Sequence, residues 1–341
     1  MKRLKGFIKL RNLICLFMLA ILWWAMRDIP LAEIWNAISG LRPWQILVLV
    51  SFNTLIMMTF SGRWWLILRA QGHRLPYLTL VGYRLASFGV SYFTPGPQFG
   101  GEPLQVILTP EKHQVPATTA IAAVSLDKIL ELIANFTFLV IGLVLLLQTG
   151  FLHGALPGWL LILILALFAT PGLYLVTLWL GARPLASLMG RIPARLASLP
   201  AMRALRESTL SAEAQIGGFC QRKPGTLFQA MLLSLFVWLA MVTEYWLTLR
   251  FLGLSLDLAS TVSLLTIARA AFLLPSPGGL GTLEAAQVLA FQAFGLNPAL
   301  GLSTALLIRA RDVSFGALGL WIGAVQSRRK SLDPLQRQAI E

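Results

Sequence analysis

Charge is scarce in this chain, and acid scarcer than base. Asp, Glu, Lys and Arg make up 12% of 341 residues, with 14 acids against 28 bases, while 57% of the residues are hydrophobic. With a mean hydropathy of +0.73 there is more apolar surface than one soluble core can hide, which predicts a polytopic, all-α integral membrane protein. No soluble basic domain accompanies the net charge of +14. The bases sit between apolar runs, as retention of cytoplasmic loops requires, so no nucleic-acid partner is expected. Cysteine is nearly absent: Cys15 and Cys220 stand far apart, which excludes a disulfide framework or a cysteine metal motif. His73, His113 and His153 are isolated in connecting segments, so neither a zinc nor an iron site is expected, nor any cofactor. There is no nucleophile with a base and no Gly-x-x-x-x-Gly-Lys-Ser/Thr phosphate loop, which argues against an ATP-driven pump and against an enzyme.

What is present is organised around a stretch that occurs twice. In the first copy an apolar segment with Arg84 breaks at Pro95-Gly96-Pro97, Gly101-Glu102 opens a short helix, and the next apolar segment carries Asp127, Lys128 and Glu131. In the second, an apolar segment with Arg269 breaks at Pro275-Ser276-Pro277-Gly278-Gly279, Glu284 stands at the head of a short helix, and Arg309 and Asp312 follow. The shared order is a membrane Arg, a Pro-Gly break, a Glu opening a helix, and a basic-x-x-acidic pair.

Residues 1–11 are basic and precede the apolar run Leu13 to Met26. That run lacks a small-x-small cleavage site, so a signal anchor fits better than a signal peptide. Further spans are expected over Trp44 to Leu68, Pro116 to Leu147, Trp159 to Leu180, Thr226 to Leu249 and Pro298 to Val325, six in all, with Arg63, Trp64, Trp65 and Arg69 read as an interfacial anchor. The chain divides into a membrane half over 1–181, a basic linker over 182–224, a second membrane half over 225–327 and a tail over 328–341. The linker reads either as amphipathic helices on the anionic cytoplasmic leaflet or as a solvated connection. If every basic cluster is cytoplasmic, both termini lie inside. The segment over 77–109 then enters and leaves from the cytoplasm, and the segment over 258–294 does so from outside. That makes two re-entrant hairpins in an inverted repeat, the build of many secondary transporters. A plain helical kink at Pro95 and Pro275 is the alternative.

Lys128 and Glu131, like Arg309 and Asp312, are three apart and share a helix face, which Asp127 and Asn135 extend. An ionised residue at mid-membrane costs about 2.5–3.5 kcal/mol, so Arg84, Glu102, Lys128, Glu131, Arg269, Glu284, Arg309 and Asp312 together cost roughly 20 kcal/mol unpaired, beyond the stability of an ordinary domain. They must face one another, water or a polar ligand. Helix-locking ion pairs are one reading. Two matching sets beside helix starts favour a binding site, with Gly101 and Gly279 offering backbone N–H groups to an anion such as phosphate. Glu102 and Glu284 also fit as first-turn acids, and Glu244 as either a structural or a lining residue.

At these residues the chain resembles the lysylphosphatidylglycerol synthase transmembrane-region, or flippase-like domain, family. The likeness rests on Pro95 to Glu102, on Asp127-Lys128 to Glu131, and above all on Leu274 to Glu284; the wording from Tyr92 to Gln105 is similar to the hopanoid-associated branch. The resemblance implies an inner-membrane protein, in some members a flippase of aminoacylated phospholipid. It also implies that the soluble aminoacyl-transferase domain of full-length synthases is absent, the chain ending at Glu341. The family pattern has Arg where Lys128 stands, which bears on any bidentate phosphate contact. The expected role is transport of a polar-headed lipid, with the charged residues and helix starts holding its head group. A subunit working with lipid-biosynthesis partner proteins and an embedded lipid-modifying enzyme are the rival roles.

Overall fold

The computed structural model describes residues 31–94, 100–148, 157–192, 199–274 and 279–337. The expected signal anchor, both Pro-Gly breaks, the Gly150 turn and the last residues of the tail lie outside these. Among the described residues there are twelve α-helices and no strands. They are α1 Leu31–Ser39, α2 Pro43–Ala70, α3 Tyr77–Phe93, α4 Glu102–His113, α5 Ala117–Gln148, α6 Gly158–Trp179, α7 Pro184–Met189, α8 Pro200–Arg222, α9 Pro224–Phe251, α10 Leu258–Ala271, α11 Thr282–Ala293 and α12 Pro298–Arg337.

Local chemistry sets many of these boundaries. Proline opens α2, α7, α8, α9 and α12, where its missing N–H goes unused. Asp257 caps α10, its carboxylate accepting from the Ala259 N–H at 3.2 Å, and Asn297 caps α12, its Oδ1 accepting from the Ala299 N–H at 2.8 Å. Four helices, α2, α5, α6 and α9, are long and apolar enough to cross a membrane. The expected last span is present as part of the 40-residue α12, but Arg309, Arg311 and Asp312 interrupt its apolar character. Ile162, Leu163 and Leu167 on α6, and Phe228, Leu235 and Leu239 on α9, are exposed, as acyl chains would require.

A spacing of 181 residues (312 less 131) relates the two halves. It carries Pro43 to Pro224 and Tyr77 to Leu258 at helix starts, and Lys128 to Arg309 and Glu131 to Asp312 on the long helices. It also pairs Asn53 with Ser234, Phe60 with Met241, and Arg63 with Glu244. Helices α2 to α5 thus correspond to α9 to α12.

Packing obeys the same correspondence. Helix α3 lies along α12 as α10 lies against α5, each the other's counterpart, while α2 packs on its own counterpart α9. Arg63 donates to Ser234 Oγ at 2.9 Å and Asn53 Nδ2 donates to Glu244 Oε1 at 3.1 Å. Early residues of one helix therefore meet late residues of the other, and Trp44 against Phe251 (ring centroids 5.4 Å apart) repeats the pattern. Equivalent helices that run antiparallel require a two-fold axis across them. With α2 and α9 spanning, that axis lies in the membrane plane, and the repeat is inverted. Two glycines allow the closest approaches: a side chain at Gly142 would collide with Thr266, and one at Gly319 with the Leu85 carbonyl.

Between the halves, α6, α7 and α8 have no counterpart. Glu213 Oε1 accepts from the Tyr174 hydroxyl and the Leu185 N–H, both at 2.9 Å, and its Oε2 accepts from the Ala186 N–H at 3.0 Å, anchoring the start of α7 on α8. Helix α8 exposes Arg203, Arg206 and Glu207 on one face. Its other face buries Ala212, Ile216, Phe219 and Cys220 against the bundle. Burial pushes the Cys220 thiol up to about 11, leaving it protonated and inert.

Candidate functional site

A cavity of about 270 Å³ lies where the two halves meet, walled by α2, α3, α4, α5, α9, α10 and α12. Of the residues singled out in the sequence, Arg84, Glu102, Lys128, Glu131, Arg269 and Asp312 line it. Glu284, Arg309, Gly101 and Gly279 stand behind its wall.

The first half builds a closed ionic network. Asp127, on the buried face of α5, accepts from Arg63 Nε at 2.6 Å and is also paired with Arg84. Glu131 meets Arg84 at 2.8 Å and Lys128 at 2.8 Å, and Lys128 reaches on to Glu102 at 3.0 Å. Arg63, at 1% exposure, and Trp64, at 0%, are core residues. This corrects their reading as an interfacial anchor: the charge of Arg63 is neutralised inside the bundle, so it needs no water. Removing one partner of such a buried pair costs about 3–5 kcal/mol.

In the second half Arg309 donates to Glu284 Oε1 at 2.7 Å, to the Gly279 carbonyl at 3.1 Å and, across the seam, to the Tyr92 hydroxyl at 2.8 Å. Asp312 is held by its neighbour Arg311 at 2.8 Å, and Arg311 also approaches Glu244 at 3.5 Å and donates to Asn53 Oδ1 at 3.1 Å. So Arg309 and Asp312 share a helix but serve different partners. All ion pairs between described residues lie within one half; hydrogen bonds made by Arg63, Asn53, Arg309 and Arg311 cross between halves.

The helix starts hold their own chain. Glu102 accepts from the Gly100 N–H at 2.9 Å, Ser91 Oγ from the Gly101 N–H at 2.9 Å, and Glu284 from the Gly281 N–H at 3.0 Å. The expectation that Gly101 offers its N–H to an anion is therefore corrected, because a serine hydroxyl already takes it. Gly279 contributes its carbonyl. Glu102 and Glu284 combine the two roles foreseen for them, serving as first-turn acids and as partners of a cation on the following long helix.

Arg269 differs from the other cations. Among the described residues it has no carboxylate ion pair; it donates to Met241 Sδ at 3.2 Å and lies over the Trp238 ring at 5.6 Å. Asn53, Arg63, Ser234, Met241 and Arg311 also line the cavity and went unnoticed as site residues. The 181-residue spacing was a signal for four of them, obscured because it pairs an Arg with a Glu and an Asn with a Ser.

The chain matches the family described as the lysylphosphatidylglycerol synthase TM region over residues 12–319. It is also 22% identical over 305 residues to the UPF0104 membrane protein MJ1595 of Methanocaldococcus jannaschii, a match covering 86% of this chain and 87% of that protein. The chain therefore belongs to the lysylphosphatidylglycerol synthase TM-region family. The matches do not single out the hopanoid-associated branch.

Proposed function

From that membership and the cavity's geometry, we propose that the protein moves a polar-headed lipid across the cytoplasmic membrane, with both termini inside. The observation that carries this reading is the cavity: about 270 Å³, walled by charge from both halves, inside a bundle whose outer surface is apolar. Drug-sized ligand pockets run to about 300–1,000 Å³, so this space suits a head group and leaves acyl chains in the bilayer. Non-helical backbone and charge at membrane depth are tolerated where they line such a space. In this mechanism the head group enters between the inverted halves and the seam shifts around it. The first half's network, being self-neutralised, serves as a fixed wall, while residues of the second half meet the head group.

The test is leaflet exchange in proteoliposomes containing lipid extracted from the native membrane. Protein-dependent exchange that is lost in Asp312→Asn, with the variant folded, is the expected result. Exchange no faster than in protein-free vesicles would sink the transport reading and leave a binding or partner role.

A further inference from the structure

The two halves place equivalent arginines at one cavity, yet only one of the two is neutralised. Arg84 lies over the Phe60 ring at 5.2 Å, and Arg269 touches Met241, which occupies the position equivalent to Phe60. Arg84 is held by Asp127 and Glu131. The counterparts of those carboxylates are Ile308 and Asp312, and Asp312 is taken by Arg311 at 2.8 Å. The second half thus repeats the arginine while replacing its principal carboxylate with an isoleucine that is 7% exposed. The result is a cation on the cavity wall, backed by Trp238, Phe272 and Met241 and lacking a carboxylate ion pair among the described residues. A cation in that setting is costly unless an anion joins it.

We propose that Arg269 is the subsite for the oxyanion of the transported head group, a phosphate ester being the chemistry that best fits one guanidinium fork. This rests on the lipid-transport reading and deepens it, naming the substrate class as lipids with an anionic group next to the glycerol or isoprenoid portion. The guanidinium donates two parallel N–H bonds to the oxyanion, with Trp238 and Met241 holding its plane. The carboxylate missing from position 308 is what the ligand replaces.

The experiment measures affinity on the purified full-length protein in detergent, with three probes: short-chain phosphatidylglycerol, the matching diacylglycerol, and inorganic phosphate. Unmodified protein should prefer phosphatidylglycerol over diacylglycerol by about tenfold or more, the worth of a charge-assisted hydrogen bond. Arg269→Gln should bring the two lipids close to parity, and Arg269→Lys should retain part of the preference. Ile308→Asp, which restores the carboxylate that the first half has, should also abolish the preference by supplying Arg269 with an internal partner, and with its charge matched it should fold. Retention of the full preference in folded Arg269→Gln and in Ile308→Asp would overturn the proposal. Competition by inorganic phosphate at the lipid's own concentration would overturn the head-group assignment and give the site to a free ion. Binding that follows this pattern without leaflet exchange would leave the subsite standing and remove transport. Exchange indifferent to Arg269→Gln would do the reverse.

Discussion

The halves of this protein share a scaffold and differ in how they settle their charges. In the first, three cations and three carboxylates form one connected network over α2 to α5. In the second, Arg309 and Arg311 serve separate carboxylates, and Arg269 is left on the cavity wall without one. Backbone geometry is thus preserved by helix starts and helix–helix approach, which a duplicated sequence keeps cheaply. Charge is free to diverge, because one Asp-to-Ile difference changes what the same cavity wall can hold. An inverted repeat with identical halves would present a ligand with two equal sites; this one presents a neutralised wall and a cation.

Making the first half resemble the second should have the largest effect. Asp127→Ile leaves Arg63 and Arg84 short of a buried partner, at a cost of about 3–5 kcal/mol, so the yield of folded protein should fall sharply in detergent size-exclusion profiles. A yield equal to that of unmodified protein would mean that the network does not hold the half together. Lys128→Met should follow, lowering yield by stranding Glu131 and Glu102, and adding Glu131→Gln should recover part of the loss. A double substitution no better than the worse single one would refute mutual neutralisation.

The helix-heading acids compare the halves more finely. Glu284 is 7% exposed and carries both Arg309 and the Gly281 N–H, so Glu284→Gln should cost about 1.5–3 kcal/mol and lower the unfolding temperature. Dipole stabilisation alone would have made that change nearly silent. Glu102 has a side chain 26% exposed, and Glu102→Gln should cost only about 0–1 kcal/mol. Equal shifts in thermal unfolding would erase this difference between the halves. The least perturbing test concerns orientation: single cysteines at Lys112 and at Asn297, in a background lacking Cys15 and Cys220, should label from opposite sides of the membrane. Labelling of both from one side would remove the inversion.

Much of this was legible in the sequence. Hydropathy gave the all-helical class, and α2, α5, α6 and α9 fall where the apolar runs predicted. The spacing of Lys128 and Glu131 foretold their bond, and the order of Arg, break, Glu and charged pair foretold the repeat. What stayed hidden was three-dimensional. Arg63 stands beside Trp64, Trp65 and Arg69, a pattern indistinguishable from an interfacial belt until Asp127, on another helix, is brought to it. Arg311 and Asp312 are chain neighbours, so helical periodicity set them on different faces, yet their long side chains meet. The buried face of α8 was masked by its basic residues, and the capping by Ser91 could not be read without knowing how closely α3 returns to Gly101.

That ion pairs keep to their own half bears finally on the order in which the chain is made. The amino-terminal half leaves the ribosome first and must settle in the bilayer before α9 to α12 exist. Each unpaired charge would then cost about 2.5–3.5 kcal/mol for as long as it waited. Because Arg63, Arg84 and Lys128 find their carboxylates between residues 102 and 131, the wait is complete once α5 has emerged, not at termination. The later half arrives to a neutral template and joins it through Ser234, Asn53 and Tyr92, groups that a nascent helix carries into the membrane without a charge of their own.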